Sequence, residues 1–264
     1  MKIRVLLGSI VLFLACFVLL THPGRKIKET KFPAFDIYLI NLPRASDRLE
    51  HFREQLEASD LPSRGVIRFD AVDGASLDIR AMTTDRAYRE IRDAETTGFR
   101  RKHYQLSRGG VGCYVSHVKV WESVLKGDKE AALIFEDDTT IHRDTRRILH
   151  GLDLPEDLDV LLLGCSCLDC SADKPLRRVH HFFGTHAYVI TRRGCRKILE
   201  HPSVRPIHKQ LDTVLSDLAR DGVIGVYAMP QNISHQATDK FETSIQIPLA
   251  VQRGDDPFAD DDDE

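Results

Sequence analysis

Ala131-Ala132-Leu133-Ile134-Phe135-Glu136-Asp137-Asp138 carries the reading of the whole chain. The apolar run is expected to lie as a buried strand, and it passes without a break into three carboxylates. Acids placed side by side at the end of an apolar strand repel one another and resist losing water. A divalent cation relieves both costs, and an oxygen-only donor set suits Mg²⁺ or Mn²⁺ better than zinc. Such an ion, held by Glu136 and Asp138, can clamp a diphosphate and steady it as a leaving group. The plainer alternative is a solvated loop whose acids cap the next helix.

On either side of this stretch, apolar strand segments alternate with helical ones. Residues 35–40, 66–72, 160–163, 185–190 and 223–227 read as strands, and 111–125, 193–200 and 208–220 as helices. Asp47 and Glu50 resemble an acidic capping box, with Leu49, Phe52 and Leu56 on one face of the helix that follows. Residues 76–105, dense in Arg, Asp and Glu, are expected to form a helix and a mobile loop outside the core. Strands separated by helices at this spacing predict an α/β fold with a mainly parallel, doubly wound sheet. In such sheets ligands sit beyond the carboxyl ends of the strands, where Glu136 to Asp138 would lie.

The composition is that of a globular protein. Apolar residues make up 42% of the 264 and charged residues 29%, which excludes wholesale disorder and a chain that crosses a membrane many times. Residues 255–264 hold seven acids and no base and read as a solvated tail. The formal charge is −3 with the tail. No basic stripe marks a nucleic-acid surface. Lys2 and Arg4 precede an apolar run at 5–20, which Arg25, Lys26, Lys28 and Lys31 follow. As a helix the run reaches ~24 Å, which suits a thin early-secretory membrane. A signal anchor is therefore expected, with a cleaved signal peptide or a buried core helix as alternatives; the first two both export residues from about 22 onward. An exported domain permits a disulfide, or free thiols, within Cys165-Ser166-Cys167-Leu168-Asp169-Cys170; structural zinc with His180 or His181 is the alternative. Asn232-Ile233-Ser234 permits N-glycosylation.

Several short motifs follow one another in order. They are Asn41-Leu42-Pro43-Arg44-Ala45-Ser46-Asp47-Arg48, then Ala71-Val72-Asp73-Gly74, then Leu106-Ser107 with Gly109-Gly110-Val111-Gly112-Cys113 and Ser116-His117, then Trp121, then Phe135-Glu136-Asp137-Asp138. Leu163-Gly164, the segment from Gly184 to Gly194, Leu211-Asp212 and Pro230-Gln231 come later. Taken together, and over residues 35–247, the chain resembles glycosyltransferase family 25, which includes lipooligosaccharide and procollagen galactosyltransferases. The resemblance implies a GT-A type fold with a single catalytic domain, a UDP-sugar donor (galactose or glucose), and a metal at Glu136 to Asp138 in place of the D-x-D motif of such enzymes. The domain plan becomes 1–24 anchor or signal, 25–34 stem, 35–250 catalytic domain and 251–264 acidic tail. Gly110 departs from the family pattern, which often has Glu there.

The residues divide by role. Asn41, Arg44 and Arg48 follow the first strand, where arginine forks suit a nucleotide phosphate or base edge. Asp73 can accept from a uracil or ribose group. Gly112 permits close approach of backbone to a ligand, and Ser116, His117, Asp137 and His186 are expected on the donor; a buried, hydrogen-bonded His117 is the alternative. Transfer with inversion needs a general base across the sugar from the metal, and Asp212 is placed for that role. The expected function is a membrane-anchored, Mn²⁺- or Mg²⁺-dependent hexosyltransferase of the endoplasmic reticulum or Golgi lumen, with a glycan or protein hydroxyl as acceptor. Two alternatives stand beside it: a catalytically inactive relative acting in adhesion or as a scaffold, which Gly110 favours, and a metal-dependent phosphohydrolase.

Overall fold

The computed structural model describes residues 32–102, 105–167, 176–243, 245 and 247. The apolar run expected to anchor the protein, the basic residues after it, Cys170 and the acidic tail lie outside the described residues. Among the described residues no helix is long and apolar enough to cross a membrane.

In chain order the strands are β1 (Phe35–Asn41), β2 (Val66–Asp70), β3 (Ala131–Glu136), β4 (Thr139–Ile141), β5 (Leu158–Leu162), β6 (Ser166–Cys167), β7 (Arg177–Arg178), β8 (Phe182–Phe183), β9 (Ala187–Thr191), β10 (Gly225–Ala228) and β11 (Ser234–Gln236). The α-helices are α1 (Ser46–Glu57), α2 (Ile79–Met82), α3 (Asp85–Thr97), α4 (Arg108–Lys126), α5 (Thr145–His150), α6 (Arg192–Glu200) and α7 (Leu211–Arg220). The central sheet has the order β2-β1-β3-β9-β5-β10-β7. Strands β2, β1, β3, β5 and β10 run one way, while β9 lies antiparallel between β3 and β5, and β7 lies antiparallel at the edge. The fold is thus α/β around a mixed, mostly parallel sheet, consistent with a GT-A-like fold. Side chains alternate along each strand and feed two cores. Ile134 of β3 and Tyr38 of β1 join α3, α4, α6 and α7 on one face. Leu133, Phe135 and Leu39 join Phe52 of α1 and Leu149 of α5 on the other.

The reversal of β9 matters for the site. Its first residue, Ala187, pairs with Phe135 near the carboxyl end of β3. Gly184, Thr185 and His186 therefore arrive beside Glu136, at the same end of the sheet as Asn41 and Asp70. Strands β4 and β11 pair separately and carry the chain over that end.

Local details differ from the sequence reading in three places, and the cysteines follow the disulfide reading. Helix α1 is preceded by Ala45 with no side-chain cap, so Asp47 and Glu50 form no capping box; Asp47 lies in the first turn, where its charge favours the helix dipole. Residues 76–105 are not outside the core: α3 is capped by Thr84 and ends at Gly98 in the left-handed region (φ 77°), and it buries Ala87, Ile91 and Ala94. Phe32 is buried against Phe35 and His150, so the packed unit already begins there. Cys167 is in a disulfide and Cys113, Cys165 and Cys195 are not, which removes Cys167 from any zinc site. Asn232 bonds the main chain of Cys165 through both ends of its amide.

Candidate active site

The apolar body of β3 ends at Glu136, and the three acids then turn into the space beyond the sheet. Groups from β1, α1, α4 and the segment before β9 hold them. Asn41, at the end of β1, donates to Asp137 Oδ2 at 2.7 Å and to the Ala45 carbonyl, while its own oxygen accepts from Arg68. Arg48 of α1 bridges Asp137 Oδ1 (3.1 Å) and Asp138 Oδ2 (3.0 Å), and Phe241 covers its guanidinium at 5.2 Å. Glu136 accepts from Thr185 at 3.3 Å and meets His117 Nε2 at 3.3 Å.

Behind Glu136 stands a fully buried chain of hydrogen bonds. Trp121 Nε1 donates to the Tyr188 hydroxyl at 2.8 Å, and that hydroxyl lies 2.8 Å from His117 Nδ1. Tyr188 has one proton to give and already accepts from Trp121, so it donates to Nδ1. His117 then carries its proton on Nε2 and donates it to the carboxylate, which has no proton of its own to offer. This is a tautomer fixed by the network, from the indole to Glu136.

The electrostatics follow the burial. Burial, then the charge of Glu136, push the Asp138 carboxyl up to about 6, although Arg48 opposes them. Burial also raises Asp137, against Asn41 and Arg48. For Glu136 burial works the same way, but the His117 hydrogen bond and neighbouring groups outweigh it and hold the carboxyl below its ordinary value. Asp138 Oδ1 is buried with no hydrogen-bond partner. A buried carboxylate oxygen left open among three acids, with Arg48 as the compensating cation at Asp137 and Asp138, fits an oxygen-liganded divalent ion. Glu136 and Asp138 are the residues that would hold Mn²⁺ or Mg²⁺.

Two adjoining clefts open on the cluster. The first, about 260 Å³, is lined by Arg44, Arg48, Asp73, Ser116 and the three acids, with Phe241 and Thr243 along its rim. The second, about 360 Å³, is lined by Gly110, Gln210, Asp212, His186 and His235. Cys113 and Glu136 line both, so the clefts meet there. Asp212 stands in the first turn of α7 and accepts from the main-chain N–H groups of Gly184 (3.1 Å) and Thr213 (2.8 Å). Burial lowers the His186 pKa; its Nε2 meets the Ser234 carbonyl at 3.4 Å, and its Nδ1 is buried without a partner.

The structure moves three of the expected contact residues behind the cleft walls. Asn41 is 1% exposed and positions Asp137. His117 is fully buried and reaches the clefts only through Glu136, the alternative raised from sequence. Gly112 serves packing: a Cβ there would stand 2.6 Å from both Gly74 N and Val72 O, so its bareness lets α4 seat against the 72–74 loop. Ser116 lines the first cleft, yet its hydroxyl is committed to Val72 N and Gly112 O. Arg44 and Asp73 face each other across the first cleft as a hydrogen-bonded ion pair, and Asp73 also caps the turn at Gly74. A main-chain bond from Ala75, then Arg44, hold its carboxyl below the ordinary value. Sequence reasoning gave no role to Trp121, Tyr188, Thr185, Arg68 or Phe241. Trp121 follows His117 by one helical turn, which is a signal for a shared network; Phe241 lies outside any pattern.

The family described as "Glycosyltransferase family 25 (LPS biosynthesis protein)" matches residues 34–175, more than half of the chain. The chain belongs to glycosyltransferase family 25. The family 25 match takes in the acid cluster and ends before His186 and Asp212. Curated relatives extend the likeness. Procollagen galactosyltransferase 1-B of Xenopus laevis is 26% identical over 190 residues, which is 67% of this chain and 29% of that protein. The probable inactive glycosyltransferase 25 family member 3 of Bos taurus is 28% identical over 203 residues, 70% of this chain and 32% of that one. A glycosyltransferase 25 family member of Anopheles gambiae is 26% identical over 201 residues, covering 70% and 31%. The matched part thus spans about a third of the length of these relatives.

Proposed function

We propose that this family 25 glycosyltransferase takes a hexose, galactose as first choice and glucose as second, from a UDP-sugar and transfers it with inversion to a hydroxyl of a glycan or protein. The observation that carries the reading is the meeting of two clefts at Glu136, with the acid cluster on one side and Asp212 on the other. In the first cleft, Arg44 and Arg48 offer donors to the diphosphate, and Asp73 offers an acceptor to a base or ribose group. A Mn²⁺ or Mg²⁺ ion at Glu136 and Asp138 would offset the charge that builds on the departing diphosphate. His186 lines the second cleft beside Asp212. Asp212, oriented by two main-chain N–H groups, takes the acceptor proton as the new bond forms. The apolar run at 5–20 holds the protein as a type II membrane protein in the endoplasmic reticulum or Golgi, or directs its secretion where it is cleaved.

The test is a donor screen that reads UDP released from each UDP-sugar, with Mn²⁺ and with chelator. Release from UDP-galactose or UDP-glucose that chelator abolishes is the expected result. UDP binding with no release from any sugar favours a second reading, a catalytically inactive member. One observation speaks for it: Gly110 lines the second cleft and places no side chain there. The relative from Bos taurus is named as probably inactive.

A further inference from the structure

We propose that Cys113, His117 and Glu136 form a second metal site, for a borderline-soft divalent cation such as Zn²⁺, at the junction of the two clefts. One ligand atom from each residue lies within 4.8 Å of the other two. His117 Nε2 and Glu136 Oε1 stand 3.3 Å apart. That separation matches the ~3.3 Å edge of a tetrahedron built on ~2.0 Å metal–ligand bonds. Thiolate, imidazole and carboxylate together make a zinc donor set, whereas Glu136 with Asp138 offers oxygen alone and selects a hard cation.

The groups that orient the ligands are present, with one hydrogen bond to reverse on binding. His117 Nδ1 meets the Tyr188 hydroxyl, which Trp121 fixes in turn, so the imidazole is aimed at the junction. Burial first, then the charges of Glu136, Asp212, Asp138 and Asp137, push the Cys113 thiol well up and keep it protonated; the same four charges draw a cation toward it, which displaces that proton. On binding, the ion takes the place of the proton between His117 Nε2 and Glu136. That proton moves to Nδ1 and reverses the bond to Tyr188, whose oxygen then accepts from both His117 and Trp121 while its own hydrogen turns away; the Cys113 Sγ–H proton leaves to solvent. One proton is thus released for each ion bound. Because Glu136 belongs to both sites, Zn²⁺ excludes the hard cation and inhibits transfer; this consequence rests on the proposed function, whereas the site itself does not.

Titrating the full chain in detergent with Co²⁺, then displacing it with Zn²⁺, provides the test. A thiolate ligand gives Co²⁺ a charge-transfer absorption in the near ultraviolet, and this band is expected in the wild type and in Cys165→Ser and Cys195→Ser. Cys113→Ser should lose the band and bind Zn²⁺ at least ~10-fold more weakly. Cys113→Ala gives the same readout should the serine variant fold poorly. Absence of the band from the wild type, or its survival in both Cys113 variants, overturns the site. A Cys113-dependent band that excess Mn²⁺ leaves untouched upholds the site and counts against the acid-cluster metal alone.

Discussion

Asp138 shows how one residue ties stability to chemistry. Its carboxyl is pushed from 3.8 up to about 6, so the folded state holds this proton more tightly than the unfolded chain does. The stabilisation it gives is complete below the unfolded value and is lost as pH rises through about 6. The metal-free protein is therefore expected to melt at a lower temperature at pH 7 than near pH 5 on this account. Asp138→Asn should remove that slope and raise metal-free stability at pH 7 by about 1–3 kcal/mol, while abolishing transfer. Mn²⁺ should raise the wild-type Tm and leave the variant unmoved; a variant that still transfers at the wild-type rate would sink the metal assignment. Asp212 tests the other side of the site. Asp212→Asn keeps its shape and one acceptor, so the fold should survive while kcat falls ~10²–10⁴-fold and donor affinity holds. Asp217 pairs with Lys209 and Arg220 and lines neither cleft. Asp217→Asn should cost stability of no more than ~1 kcal/mol and leave kcat alone. If Asp212→Asn keeps most of its rate at saturating acceptor, the base lies elsewhere, and His186 is the next residue to test.

At the level of elements, apolar runs made the strands legible and left their directions open. Residues 185–190 were readable as a strand, but four apolar side chains do not say whether the strand runs with its neighbours. Its antiparallel course follows from packing between β3 and β5, and that course brings His186 to Glu136. Strands β4 and β11 are only three residues each, too short for a period of two to stand out. Charge density misled over α3, where three apolar residues at helical spacing are enough to dock a polar helix. The contact of Gly112 with the 72–74 loop gives a test at this scale. A methyl group at Gly112 has nowhere to go, because Gly74 and Val72 present main chain rather than movable side chains. Gly112→Ala should therefore cost about 1–3 kcal/mol and push the 72–74 loop away from α4. Asp73 rides on that loop, so KM for the donor should rise more than kcat falls. Unchanged donor KM in a folded variant would detach the loop from donor binding.

For the molecule as a whole, the sequence exposed the part of the site that is contiguous and hid the part that folding assembles. Glu136 to Asp138 stand together in the chain and were readable as a cation-seeking cluster. The groups that aim them come from β1, α1, α4 and β9, and no spacing rule connects Arg68 or Tyr188 to an acid tens of residues away. The same logic sets where the folded unit begins. Phe32 is 5% exposed, with its ring 5.7 Å from Phe35 and 5.9 Å from His150. Deleting residues 1–24 leaves this cluster and every cleft residue in place, so the product should be soluble, melt like the full chain in detergent and retain transfer. Deleting residues 1–34 removes Phe32 as well, and by the usual cost of losing a buried phenylalanine it should lose about 3–5 kcal/mol. Measuring solubility, Tm and UDP release for the two truncations separates anchor from core. A 1–24 deletion that is insoluble until the segment is restored would show that the apolar run packs into the fold. A 1–34 deletion that melts with the 1–24 deletion would place the start of the cooperative unit at Phe35 instead of Phe32.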